Sequence, residues 1–193
     1  MPTITALRED RRGRVAVELD GVPWRTVPVA VAARAGLAEG RPLDRPGLRI
    51  LRRELRRAEA LAVAGRALRA RDMSRTSLTA RLERAAVAPA TVEASLQVLE
   101  DAGAIDDERF AGNRAQSLAG RGYGDAAIQR DLEAHGLVRD LVESAIDSLE
   151  PELERARQVV ERRGAGPRTA RLLAGKGFSP ESCEMALGPD FCN

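Results

Sequence analysis

The sequence predicts a mainly α-helical fold: tandem three-helix repeats in an elongated array, open to curvature, behind a small N-terminal β-hairpin region. Three observations lead there. Aromatic residues make up 3% of the chain against 44% hydrophobic, and the apolar share is carried by Ala, Leu and Val beside abundant Arg and Glu, a composition of closely packed helices. Only residues 3–28 alternate with the period of a strand. Further on, one arrangement of apolar residues around a turn recurs three times.

Within the β region, Ile4, Val15, Val17 and Leu19 alternate with polar neighbours, and Asp20-Gly21 supplies a tight turn before Val22 to Val27. This predicts an antiparallel hairpin or a three-stranded patch. Val29 to Ala35 reads as a short helix closed by Gly36, and Gly40, Pro42, Pro46 and Gly47 punctuate a linker. The N-terminal extension is accordingly placed at 1–47.

A long helix is expected over Leu48 to Arg71, with Leu51, Leu55, Ala58, Ala62 and Leu68 near one face and Arg52, Arg53, Arg56 and Arg57 on much of the other. Ser74 can cap the next helix, which carries Leu78 and Leu82. Pro89 opens a third, with Val92, Leu96 and Leu99 on one stripe, and Gly103 ends it. Sliding this unit along the chain finds it again. Leu82, Ala86, Val92 and Leu96 have offsets that Leu132, Gly136, Val142 and Ile146 repeat, as do Leu173, Gly177, Cys183 and Leu187; the copies lie 50 and 41 residues apart. Each copy reads as a helix end, a left-handed turn at the Gly position, an apolar residue (Val87, Leu137 or Phe178) and a following amphipathic helix. Ala86 stands where the other copies have Gly, which predicts strain or a different helix ending. With preceding helices at Asp107 to Arg121 and Glu152 to Arg163, the repeats are placed at 48–103, 104–149 and 150–193. Units this small bury little surface alone and are stabilised by stacking, the usual construction of a binding surface.

Charge is unevenly distributed although the net charge is only +2. Residues 1–58 carry 13 basic and 7 acidic groups, whereas 104–149 carry 5 and 9. Such a division suits a partner of mixed charge, a protein–DNA complex better than naked DNA. Cys183 and Cys192 have neither metal-ligand nor CxxC spacing and are expected to be reduced. No apolar run approaches the ~18–20 residues of a membrane span, and the start of the chain lacks a signal-peptide pattern, so a cytoplasmic protein is expected.

No cofactor, metal site or catalytic constellation is expected. There is one histidine, no nucleophile motif and no GxxxxGK[ST] loop. Asp106, Asp107 and Glu108 fit the positive end of a helix dipole and an N-cap better than a metal, with Arg109 beside them and Phe110 facing inward as a core anchor. His135, directly before Gly136, can meet terminal helix carbonyls. The candidate contact residues are basic. One set is Arg52, Arg53, Arg56, Arg57, Arg69, Arg71 and Arg75; a second is Arg155, Arg162, Arg163, Arg168, Arg171 and Lys176, the last being the only lysine. Either set can be a solvated face or can meet acidic patches and nucleic-acid phosphates.

The run Ala104-Ile105-Asp106-Asp107-Glu108-Arg109-Phe110-Ala111, directly after Leu99-Glu100-Asp101-Ala102-Gly103, resembles the helix-opening signature of the RecX regulatory proteins. With the three repeats the resemblance covers roughly Ala58 to Leu187, and the β-containing start resembles the N-terminal extension of many such proteins. Asp106, Asp107, Arg109, Phe110, Gly136 and Gly177 are its structural signature here. Departures are Ala85-Ala86 where Lys-Gly is usual, Gly124-Asp125 where Gly-Pro is usual, and Cys183 where a branched aliphatic is usual.

The resemblance implies a protein without chemistry of its own that binds RecA and the RecA–single-stranded DNA filament, and a monomer is expected. It would lodge across neighbouring subunits and restrain filament growth, ATP hydrolysis, strand exchange and coprotease activity in DNA repair and the SOS response, with at most weak direct DNA binding and no membrane partner. On this reading the two basic sets flank an acidic middle and bridge adjacent filament subunits. The alternative is a helix-turn-helix-like DNA-binding transcriptional regulator, which three short helices and a tight turn also describe. Against it, only Gln129-Arg130 approaches a base-reading cluster. A scaffold that binds protein alone is a third reading.

Overall fold

The computed structural model describes residues 1–188. Cys192 therefore lies outside the described residues. Three antiparallel strands, β1 (Ile4–Glu9), β2 (Arg14–Leu19) and β3 (Val22–Pro28), form one sheet in the order β1-β2-β3. Leu19 pairs with Val22 across Asp20-Gly21, and both turn residues have positive φ (51° and 80°), the geometry that matches strand twist in a two-residue hairpin. The period-two face formed by Val15, Val17 and Val27 is buried with Ile4 against Val31 and Ala32 of α1 (Val29–Arg34), Leu43 and Leu51. Burial of each such side chain contributes about 1.5–3 kcal/mol.

The long helix α2 spans Arg45–Ala70, three residues earlier than the linker reading allowed. Asp44 explains the shift. Its Oδ1 accepts the Gly47 amide at 2.7 Å and its carbonyl accepts Leu48 N–H, so Pro46 and Gly47 belong to the first turn, where proline needs no N–H partner. The buried seam of α2 also differs from expectation: Leu51 is buried, but the seam runs on through Glu54, Ala60, Ala64 and Ala67, and Ala62 is exposed. In a helix this rich in alanine several stripes look alike in sequence. Next come α3 (Arg75–Arg84) and α4 (Pro89–Asp101). Contacts divide the chain into two compact units, residues 1–67 with 81–98, and residues 68–80 with 99 onward.

In the second unit, α5 (Asp107–Gly120), α6 (Asp125–Ala134) and α7 (Arg139–Asp147) close around Phe110, Ala111, Ala115, Leu118, Ile128, Leu132, Leu137, Val142 and Ala145. The helices α8 (Glu152–Arg163), α9 (Pro167–Gly175) and α10 (Pro180–Leu187) close around Ala156, Val159, Leu173, Phe178, Cys183 and Leu187. Positions matched by the repeat offsets thus occupy matching places: Leu132 and Leu173, Leu137 and Phe178, Val142 and Cys183. The turn geometry repeats as well. Val87, Leu137 and Phe178 donate their amides to Leu82, Leu132 and Leu173 at 3.2, 3.4 and 3.1 Å, the hydrogen bond that closes a Schellman turn. Ala86 adopts that turn with φ 57°, beside Gly136 at 75° and Gly177 at 81°, so the first copy ends its helix in the same way and carries the Cβ strain.

Candidate partner interface at the helix joints

Two joints in the second unit are built on one plan. In the first, the turn after α6 sits on the start of α3. The Ser74 hydroxyl donates to the His135 carbonyl at 2.7 Å, the Thr76 hydroxyl to the Gly136 carbonyl at 3.4 Å, and the Asp107 carboxylate accepts the Arg75 amide at 2.7 Å. In the second, the turn after α9 sits on the start of α6. The Gly124 amide donates to the Lys176 carbonyl at 2.9 Å, the Ala126 amide to the Gly177 carbonyl at 3.2 Å, and the Glu152 carboxylate accepts the Asp125 amide at 2.8 Å. Ser74 and Gly124, Thr76 and Ala126 are each 50 residues apart; His135 and Lys176, Gly136 and Gly177 are each 41 apart.

The second joint replaces two side-chain donors with backbone donors, so its backbones meet more closely. A Cβ on Gly124 would collide with the Phe178 amide nitrogen and the Gly177 carbonyl oxygen, whereas the nearest neighbours of a Cβ on Gly136 are Thr76 side-chain atoms, at 2.5–2.6 Å. Glu152 does more than Asp107. It also accepts the Ser179 hydroxyl at 2.6 Å and amide at 3.1 Å, tying the start of α10 to that of α6. Burial pushes the Glu152 carboxyl up, but the Ser179 and Ser182 hydrogen bonds and the Asp125 amide outweigh it and hold the group below its ordinary value. Burial raises Asp125, which Arg155 only partly offsets.

Each joint opens a groove. The first, of about 260 Å³, has Phe110, Met73 and His135 with Arg71, Asp72, Asn113 and Arg114 around it. Its Arg114 is neutralised by Asp131, which it binds through two contacts of 2.7 and 2.8 Å, and Arg114 draws the Asp131 carboxyl below its usual range. His135 Nδ1 donates to the Asp131 carbonyl at 2.7 Å, and its ring lies 5.4 Å from that of Phe110. The second groove, of about 390 Å³, is lined by Arg121, Arg162, Arg163 and Lys176 with Gly120, Gly122, Val159, Leu172 and Leu173. Among the described residues, no acidic one lines it. Lys176 Nζ sits 4.0 Å from the Tyr123 ring centre and donates to the Arg121 carbonyl at 2.8 Å, and the Arg121 guanidinium lies 5.6 Å from the same ring.

The sequence-derived candidates therefore separate. Arg162, Arg163 and Lys176 converge on the second groove, while Arg168 and Arg171 are exposed on α9 outside it. Arg155 is a correction. It is 6% exposed, and its guanidinium bonds the Glu150 and Tyr123 carbonyls and Asp125, so it serves as an internal tie that no phosphate reaches. Arg71 lines the first groove, and Arg75 is paired with Glu100 at 2.8 Å. Arg69 is exposed. On α2, Arg52, Arg53 and Arg56 are exposed along a shallow concavity shared with Arg49 and Ile50, with Arg53 paired to Glu54 at 3.2 Å, while Arg57 is half-buried. Asp106 caps α5 by accepting the Arg109 amide at 2.8 Å, Arg109 reaches back to the Gly103 carbonyl at 3.1 Å, and Phe110 is buried. Arg121, which lines the second groove, and Tyr123, whose ring carries Lys176, are residues that sequence reasoning missed. Arg121 lies 50 residues after Arg71, the repeat offset that could have found it.

Comparison with known proteins places this architecture. Residues 106–146 match the family described as RecX, second three-helix domain. A protein of Stenotrophomonas maltophilia named regulatory protein RecX is 36% identical over 130 residues, covering 62% of this chain and 80% of the relative. The chain belongs to the RecX family. RecX proteins of Leptothrix cholodnii (34% over 139 residues, 66% of this chain and 88% of the relative) and Chromohalobacter salexigens (32% over 131 residues, 63% and 86%) agree. A crystal structure of regulatory protein RecX superposes with a TM-score of 0.81 at 21% identity, covering 96% of this chain and 98% of that one. RecX from Lactobacillus salivarius gives 0.60 at 16% identity, covering 68% and 94%. These two share the helical fold of this chain, the first over nearly its whole length. Among the described residues, no helix is long and apolar enough to cross a membrane.

Proposed function

We propose that this RecX-family chain is a non-enzymatic cytoplasmic regulator that binds RecA and the RecA–single-stranded DNA filament and restrains its ATPase, recombinase and coprotease activities. The observation that carries the reading is the cationic groove lined by Arg121, Arg162, Arg163 and Lys176 at the second joint, on a chain whose relatives are named as regulators. Such a surface complements a filament that presents both carboxylates and phosphates. The exposed arginines of α2, Arg52, Arg53 and Arg56, are a second contact, and two separated weak contacts along one filament reinforce each other. Three-helix repeats at 48–103, 104–149 and 150–193 are the units that would follow successive RecA subunits.

The test is RecA-catalysed ATP hydrolysis on single-stranded DNA, titrated with this protein, with duplex binding measured over a range of salt. Inhibition well below one copy per RecA supports filament binding. No inhibition, together with tight sequence-dependent duplex binding, would replace this reading with the transcriptional-regulator alternative.

A further inference from the structure

We propose that Lys176 is a covalent modification site, its amine acylated by small acyl phosphates that the neighbouring guanidinium groups gather. The proposal goes beyond the regulatory reading above and does not rest on it.

Of the chain's 31 basic residues, Lys176 is the one lysine. Its structural duties would suit arginine equally well. The residue is the C-cap of α9, where either cation favours the negative end of the helix dipole, and a guanidinium covers a tyrosine ring and donates to a carbonyl as readily as an ammonium does. What arginine cannot supply is a nucleophile. A guanidinium stays protonated in proteins, whereas a lysine amine can lose its proton and attack a carbonyl carbon.

The amine is also positioned. Nζ donates to the Arg121 carbonyl at 2.8 Å and lies 4.0 Å from the Tyr123 ring centre, so a flexible side chain is held by a polar and an aromatic contact before any reagent arrives. Arg121, Arg162 and Arg163 line the same groove, whose volume of about 390 Å³ admits a small ligand, and among the described residues no carboxylate lines it to repel an anion. A guanidinium fork takes phosphate oxygens two at a time, which brings the acyl group bonded to that phosphate into the groove that Lys176 lines. At the first joint His135 holds the corresponding place and Asp72 lines the groove, so an amine beside an acid-free set of arginines is particular to the second joint. The reaction balances without an oxidant or reductant. The ammonium gives a proton to water, and the lone pair of the amine attacks the acyl carbon. The bond from that carbon to the phosphate oxygen breaks, phosphate leaves with the electron pair, and the nitrogen loses a second proton to water. The amide product keeps one N–H but has no charge, which takes one of four cations out of the groove.

The experiment uses the full chain without RecA. It is incubated with acetyl phosphate and, in parallel, with the uncharged acetyl ester of N-hydroxysuccinimide, and acylation of Lys176 is timed by peptide mass mapping. A synthetic peptide of residues 172–180 supplies the unassisted rates. The ratio of the acetyl phosphate rate to the ester rate is expected to be at least about tenfold higher in the folded chain than in the peptide, the gain a cationic cleft gives an anionic reagent, and added salt should shrink that gain. Arg162→Gln with Arg163→Gln is expected to remove most of it and to leave the ester rate unchanged, which also reports that Lys176 keeps its surroundings. Arg139→Gln, on α7 and paired with Glu143, should change neither rate. A ratio no higher than the peptide's, a gain that salt does not screen, or one that survives loss of both arginines in a chain that melts like the wild type, overturns the proposal. Because RecA takes no part, a failed reaction leaves the regulatory reading standing, and a chain without effect on RecA leaves this reaction standing.

Discussion

The joint at the start of α3 and the joint at the start of α6 solve one packing problem with different donors. Ser74 and Thr76 span the first with hydroxyls; Gly124 and Ala126 close the second with backbone amides. The first meets a Thr side chain, whose methyl and hydroxyl can rotate away although its Cβ cannot, whereas the second is backbone against backbone. Among the described residues, the groove at the close joint has no acidic lining, whereas Asp72 lines the other. One scaffold thus separates the residues that hold neighbouring helices together from those free to meet a partner.

Gly124→Ala should break this comparison most severely. Its Cβ cannot be accommodated without moving the α9–α10 turn away, and a loss of about 3 kcal/mol or more is expected in urea unfolding. Glu152→Gln should cost about 2 kcal/mol, since charged hydrogen bonds to the starts of two helices are weakened at once. The sign with pH follows from the lowered carboxyl. The contribution of Glu152 is complete above the unfolded value of about 4.3 and disappears as pH falls through the lower folded value, so the gap between wild type and Glu152→Gln should close in acid. A gap that widened in acid would contradict the assignment.

Gly136→Ala should cost less than Gly124→Ala, about 1–2 kcal/mol, mostly the left-handed backbone penalty, and Thr76→Ala should relieve part of the steric remainder. Equal costs at Gly124 and Gly136 would erase the distinction between the joints. The smallest effect should be a gain: Ala86→Gly relaxes φ 57° and should raise stability by about 1 kcal/mol, read as a higher urea midpoint with unchanged slope.

Much of this organisation is legible in the sequence. Strand alternation around Asp20-Gly21, the caps Ser74 and Asp106, and the offsets of Leu132 and Leu173 are local or periodic signals, which survive folding because each is satisfied within a few residues. What escaped depends on distant partners. Arg155 looked like one more surface cation, and its burial is set by Asp125 and Tyr123, about thirty residues earlier in the chain. Asp107 read as part of its own helix start, yet it also caps α3 from another repeat. Tyr123 has no signal in the sequence, and only the turn carrying Lys176 gives it a cationic partner from another repeat. On α2, alternative alanine stripes left the seam through Ala60 and Ala64 undetermined.

The most direct measurement is inhibition of RecA ATP hydrolysis on single-stranded DNA by the wild-type chain, by Arg162→Glu with Arg163→Glu, and by Arg139→Glu, whose residue is already paired with Glu143. The account expects substoichiometric inhibition by the wild type and by Arg139→Glu, and at least about a tenfold rise in the half-inhibitory concentration when the groove is reversed. Equal inhibition by all three proteins, with each shown to be folded, would contradict it.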